Sequence, residues 1–189
     1  NVDKKVNWVS KEPALRETML ARGDVDAITG FYFTSLLNLN ARGVKDSDID
    51  IMLFPEYGVK LYGNAIIADR AFAKNNPEAV KGFLRAITKA TRDVIADPAA
   101  SVKTVKERDG IIDEALELKR LRLAIQTAID TPDARAEGFG DINPGRMALM
   151  ASQVASTYAT KTPVNPDLAF DRSFLPAKDL TASVLRAKK

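Results

Sequence analysis

Cysteine and histidine are both absent from the 189 residues, and each absence removes a class of chemistry. Without cysteine there is no disulfide, no thiolate metal site and no cysteine nucleophile. Without histidine the chain cannot build a Ser-His-Asp triad, a histidine-bearing zinc site or imidazole acid-base catalysis. Catalysis would fall to carboxylates, lysines or tyrosines, so the expectation is a protein that is not an enzyme and uses no metal and no cofactor. Aromatics are few: eight Phe, four Tyr and one Trp. No run of about 18 apolar residues is present to span a bilayer as a helix. The chain opens at Asn1 with no signal-peptide pattern and enters a strand-like segment within a few residues. It therefore reads as a processed or truncated product whose N-terminal part is missing.

What is present is an ordinary globular composition, 46% hydrophobic and 28% charged, with enough length for a real core. The net charge is +3, but 28 basic and 25 acidic residues are interspersed. With no Lys/Arg block of five or more, a nucleic-acid partner is not expected.

The first half alternates strand and helix signals. Lys5–Val9 has period-2 alternation, as a half-buried strand would. Ser10–Gly23 reads as a helix with Pro13 in its first turn, Gly23 as its stop, and an apolar face of Ala14, Leu15, Met19 and Leu20. Val25–Thr29 is a short buried strand, and Phe31–Arg42 a second helix stopped by Gly43. Asp48–Phe54 and Leu61–Ala68 are two more strands, with Pro55 breaking the first. This order argues for a mainly parallel α/β sheet. The second half is helical: from Asn76-Pro77, from Asp97-Pro98 to about Asp109, from Asp113 to about Asp130, and from Asn143-Pro144 through Tyr158. The stripe Leu116, Leu118, Leu121, Leu123 and Ile125 reads as helix packing. A tail from Thr162 is punctuated by proline and closes as a short helix over Asp179–Lys189. The shift of character falls at Phe54–Gly58, which suits either a crossing between two lobes or a plain surface turn.

In a parallel α/β sheet, ligands bind beyond the carboxyl ends of the strands, near helix N-termini. That geometry nominates Ser10, Lys11 and Glu12 after the first strand. After the second it nominates Gly30, Phe31, Tyr32, Thr34 and Ser35, and after the third Glu56, Tyr57 and Gly58. On a helix starting near Phe31, Phe33 joins Leu36, Leu37 and Asn40 on a core stripe, and Phe31 points some 200° away. Phe31, and Tyr32 if it does not join Leu36 and Leu39, is left to stack on a flat ligand. Thr34 and Ser35 would hold polar or anionic ligand atoms. The alternative is that Phe31 covers a neighbouring helix and the hydroxyls cap the turn. Asp24 and Asp26 read as turn formers or salt-bridge partners. Glu137–Gly145 is glycine-rich but lacks the spacing and lysine of a phosphate loop.

Several stretches, in order, resemble a known family: RETMLARGDVDAITGF, EYGVKLYGN, FAKNNPEAVKGFLRA, RDVIADPAAS and TAIDTPDARAEGFGDINPGRM. The chain from about Val6 to Pro176 is similar to the NMT1/THI5-like solute-binding proteins of ABC transporters, related to sulfonate, taurine and nitrate binders. The resemblance implies a type II periplasmic binding fold of two α/β lobes with a hinge and a ligand cleft. The first half of such a protein is absent here. Residues 1–56 would be the later part of lobe two, and residues 57–189 the return into lobe one with the C-terminal helices. It also implies capture of a small heterocycle, such as a thiamine pyrimidine precursor, or of a sulfonate or nitrate. The captured solute would pass to an inner-membrane ABC permease, from the periplasm or from a lipid anchor. Phe31 and Tyr32 would stack on the ligand, Thr34, Ser35, Glu12 and Tyr57 would contact it, and Glu56 and Gly58 would serve the hinge. Two other readings use related folds. One is the effector-sensing domain of a transcription regulator; the other is a pyrimidine-precursor synthase, whose histidine and cysteine-rich motif this sequence lacks.

Overall fold

The computed structural model describes residues 3–186 and divides into two units, Asn1–Ile51 and Met52–Lys189. Among the described residues every regular element is a helix or a helical turn, and no helix is long and apolar enough to cross a membrane.

In the first unit, the 3-10 turn Pro13–Leu15 leads into α1, Arg16–Arg22, which left-handed Gly23 closes. Gly23 donates its N–H to the carbonyl of Leu20 (3.0 Å), and Asp24 donates to Met19 (2.9 Å), satisfying the carbonyls of the last turn. The second helix, α2, spans Tyr32–Asn40 and ends where Gly43 donates to Asn40 and Val44 to Leu39. The two helices pack on each other, and the apolar residue buried there is Leu39. The expected apolar face of α1 is shifted: Ala14 and Leu15 are exposed, Met19 and Leu20 are half-buried, and the buried residue is Glu17. A buried carboxylate needs a partner, and α2 supplies one, described below.

The four expected strands do not form a sheet among the described residues. The first of them begins in the 3-10 turn Asp3–Lys5, and Trp8 beyond it is exposed. Residues 49–53 leave the 3-10 turn Asp46–Asp48 with the backbone of Ile49 and Leu53 in the extended region, yet they have no ladder. Residues 59–69 are likewise irregular, with Ile67 91% exposed. Period-2 alternation reports a chain suited to extension, whereas a strand exists only where a second backbone lies beside it. The α/β sheet expected from the sequence is therefore not present in these helices and connections.

The second unit holds the helices foreseen after residue 75, plus two short ones. These are α3 (Arg70–Asn75), α4 (Pro77–Ala96), α5 (Pro98–Arg108), α6 (Glu114–Ala124), α7 (Pro132–Glu137), α8 (Pro144–Thr157) and α9 (Lys178–Ser183). Proline in the first turn of α4, α5, α7 and α8 occupies a place where no intrahelical N–H is needed. Asp97 accepts from Ala100 N–H, Asp113 from Ala115 and Leu116, Thr131 from Ala134, and Asn143 from Arg146. Asn76 departs from expectation. Its side chain makes no cap bond to α4 and instead donates to the carbonyl of Phe72, at the end of α3. A helix ending one residue before another begins leaves two sets of orphan groups, and here the amide serves the earlier set.

The core of this unit joins Ile95 of α4, Ile125, and Val184 and Leu185 from the 3-10 turn after α9, with Val94, Leu121, Ile129, Ala134 and Phe139 packed around them. Ile125 opens a π-helical turn, Ile125–Ile129, that continues α6. Gly138, at φ +106°, lies so close to buried Thr181 that a Cβ there would meet the threonine Oγ1 at 2.8 Å. The segment expected as a C-terminal helix is split into α9 and that 3-10 turn. Its last three residues lie outside the described residues.

Candidate functional site

Within the first unit, five of the nominated residues, Gly30, Phe31, Tyr32, Thr34 and Ser35, come together at the start of α2. Phe31 is the N-cap, with φ −78° and ψ 127°, and no side chain caps the helix there. Its carbonyl accepts from the N–H groups of Thr34 and Ser35, both at 2.9 Å. Because helical geometry begins only at Tyr32, the 200° separation expected between Phe31 and Phe33 does not apply. The two rings stack instead, with centroids 5.4 Å apart and planes at 21°. One face of Phe31 is thus used in packing, yet the residue remains 48% exposed, while Tyr32 is half-buried.

Ser35 faces inward. Its hydroxyl donates to Oε1 of Glu17 at 2.8 Å, and Glu17 is 6% exposed. A serine has one proton to give, so beyond Glu17 its oxygen can only accept. Gly30 makes room for this pair, since a Cβ at that position would collide with Ser35 Oγ. Arg16 donates to the carbonyl of Thr29 at 3.0 Å, and Arg42 donates to Thr18 at 3.1 Å. The mouth of α2 is therefore built on polar crosslinks between α1 and the chain around α2. Glu12 is exposed at the N-cap of the preceding 3-10 turn, where its carbonyl accepts from Leu15. Asp24 lies 4.0 Å from exposed Arg22, the salt-bridge role read for it.

Ser10 and Lys11 are exposed in irregular chain, and the nominated Glu56, Tyr57 and Gly58 belong to the second unit. They form the end of a 3-10 turn, Phe54–Tyr57, closed by Gly58 at φ +85°. Tyr57 is exposed. Sequence reasoning missed the next few residues, where side chains of α8 hold the chain. It also missed Glu17 and the need for glycine at position 30. A signal for the α8 contacts was available: Arg146 is the third residue of a helix, where the macrodipole disfavours a cation, so its charge had to be met by tertiary partners.

An open depression of about 430 Å³ beside the start of α8 is lined by Ile142, Met147, Phe170, Asp171 and Arg172, among others. Two of its charged groups are already committed. Arg172 donates to Asp141 (2.8 Å) and to the carbonyl of Ile142 (2.7 Å). The hydroxyl and then the amide of Ser173 donate to Asp171, holding its carboxyl below the usual aspartate range.

Against known proteins, a family model described as NMT1/THI5 like matches residues 3–101. That match takes in more than half of the chain, including both helices of the first unit and α3 and α4 of the second. The chain belongs to the NMT1/THI5-like family. The family points to a role in binding a small molecule or one connected with thiamine precursors. No curated protein and no solved structure matches the chain.

Proposed function

We propose that the protein is the solute-binding component of an ABC importer. In this reading it captures a small heterocycle bearing hydrogen-bond donors and delivers it to an inner-membrane permease from the periplasmic side. The observation that carries the ligand class is the Ser35–Glu17 pair. With its proton committed to a buried carboxylate, Ser35 presents only lone pairs, which suit an amino group and repel the oxygens of a sulfonate or nitrate. The uncovered part of Phe31 offers a flat apolar surface for the ring. The absence of histidine and cysteine supports binding rather than turnover.

The α/β lobes of a type II binding fold belong to the same proposal. The apolar residues of the ladderless segments, Ile51, Met52, Leu53, Ile66 and Ile67, are exposed and are those a sheet would cover. Lobe closure would follow from tighter contacts in the closed state.

The test is a thermal-shift panel of an aminopyrimidine, a sulfonate, nitrate and a flavin. Stabilisation is expected with the aminopyrimidine. In Phe31→Ala its affinity should fall about 2- to 12-fold, the worth of one stacking contact. No shift with any of the four would remove the receptor reading. A shift with the sulfonate or nitrate alone would keep the receptor and remove the heterocycle.

A further inference from the structure

The segment that follows the 3-10 turn Phe54–Tyr57 is riveted along α8. Gln153 Nε2 donates to the carbonyl of Gly58 at 2.9 Å. Arg146 donates through Nε to the carbonyl of Lys60 (3.0 Å) and through one terminal nitrogen to that of Leu61 (2.7 Å). Its other terminal nitrogen pairs with Asp133 of α7 at 2.8 Å. The guanidinium lies 4.2 Å from the centroid of the Tyr62 ring, and the Tyr62 oxygen accepts from the N–H of Asn143 at 2.7 Å.

All three nitrogens of Arg146 are therefore committed, in a planar fork that a lysine cannot reproduce. A cation in the first turn of α8 is disfavoured by the helix dipole. Asp133, the two carbonyls and the Tyr62 ring offset that cost, so the placement has a use beyond the helix. The contrast with the chain just before is sharp. Met52, Phe54 and Tyr57 are all more than half exposed, and the two units divide between Ile51 and Met52.

We propose that Arg146 is the positioning residue of the crossing. It holds residues 58–62 against α7 and α8 within the second unit, so that Gly58 begins an anchored stretch and the exposed residues before it open independently of that anchor. The purpose of such an anchor rests on the receptor reading; the mechanics do not. The test therefore uses no ligand, and its outcome is separate from that of the thermal-shift panel.

Trypsin cleavage after Lys60 and chymotrypsin cleavage after Tyr57 report the two sides of the boundary. In Arg146→Ala, cutting after Lys60 should accelerate about tenfold or more, because cleavage follows local opening, while cutting after Tyr57 should change less than about twofold. Arg146→Lys should behave like the alanine variant. Equal cutting after Lys60 in parent and variant would overturn the proposal. If every site in Arg146→Ala were cut faster together, Gln153→Ala would decide. That variant loses one bond, and faster cutting after Lys60 alone supports the rivet, whereas no change refutes it.

Discussion

At the scale of single residues, one hydroxyl governs what α2 offers at its first turn. Ser35→Ala would leave the buried Glu17 carboxylate without the donor seen at 2.8 Å. The first unit should lose about 1–3 kcal/mol, the cost of an unsatisfied buried acceptor, measured by urea denaturation. Gly30→Ala should cost a similar amount by displacing the same hydroxyl, about 1–3 kcal/mol. A Gly30→Ala variant as stable as the parent would show that the pair has room to shift. Asp171 makes a prediction in pH. Its carboxyl is held below the usual aspartate range, first by the Ser173 hydroxyl and then by the Ser173 amide. A depressed carboxyl stabilises its turn above the ordinary value, and that contribution is lost as pH falls through the lowered one. The amide resonance of Ser173 should therefore titrate below the ordinary aspartate value of 3.8. Glu17 was not legible in the sequence. Among RETML it resembles any exposed helical glutamate, and only the approach of α2, eighteen residues on, buries it.

At the scale of elements, helix starts were readable and strands were not, for one physical reason. An N-cap is settled within about four residues, so Asp97, Asp113 and Asn143 could each be named from Asp-Pro, Asp and Asn-Pro openings. Asn143 carries the clearest consequence. Its Oδ1 accepts from Arg146 N–H at 3.0 Å, and its Nδ2 donates to Glu137 at 3.0 Å. Asn143→Ala should lower thermal stability by about 1 kcal/mol or slightly more, read in a calorimetric scan. Asn76 shows the limit of the rule, because two adjacent helix ends compete for one side chain. The segments Val25–Thr29, Asp48–Phe54 and Leu61–Ala68 carry strand-like patterns, yet pairing depends on a neighbour that the pattern itself does not contain. The candidate site was legible in the same partial way: Phe31 and Ser35 by their place at a helix start, whereas Arg146 was missed, its signal being an unfavourable position in one.

At the scale of the whole molecule, the core of the second unit draws on α4, the turn that continues α6 and the turn after α9. Leu185→Ala should therefore destabilise that unit by about 2–5 kcal/mol, read by amide exchange resolved by peptide. The order of core residues along the chain also sets a timetable for synthesis. The faces of α1 and α2 can meet soon after Val44 has emerged. The apolar side of α4, by contrast, waits for Val184 and Leu185, which fill the same core. At roughly 5–20 residues per second, about ninety residues of translation leave the core around Ile95 incomplete for several seconds. A nascent chain of this protein thus passes through an interval in which its longest helix is made but its core is unfinished, and that interval is where a holding chaperone would find it.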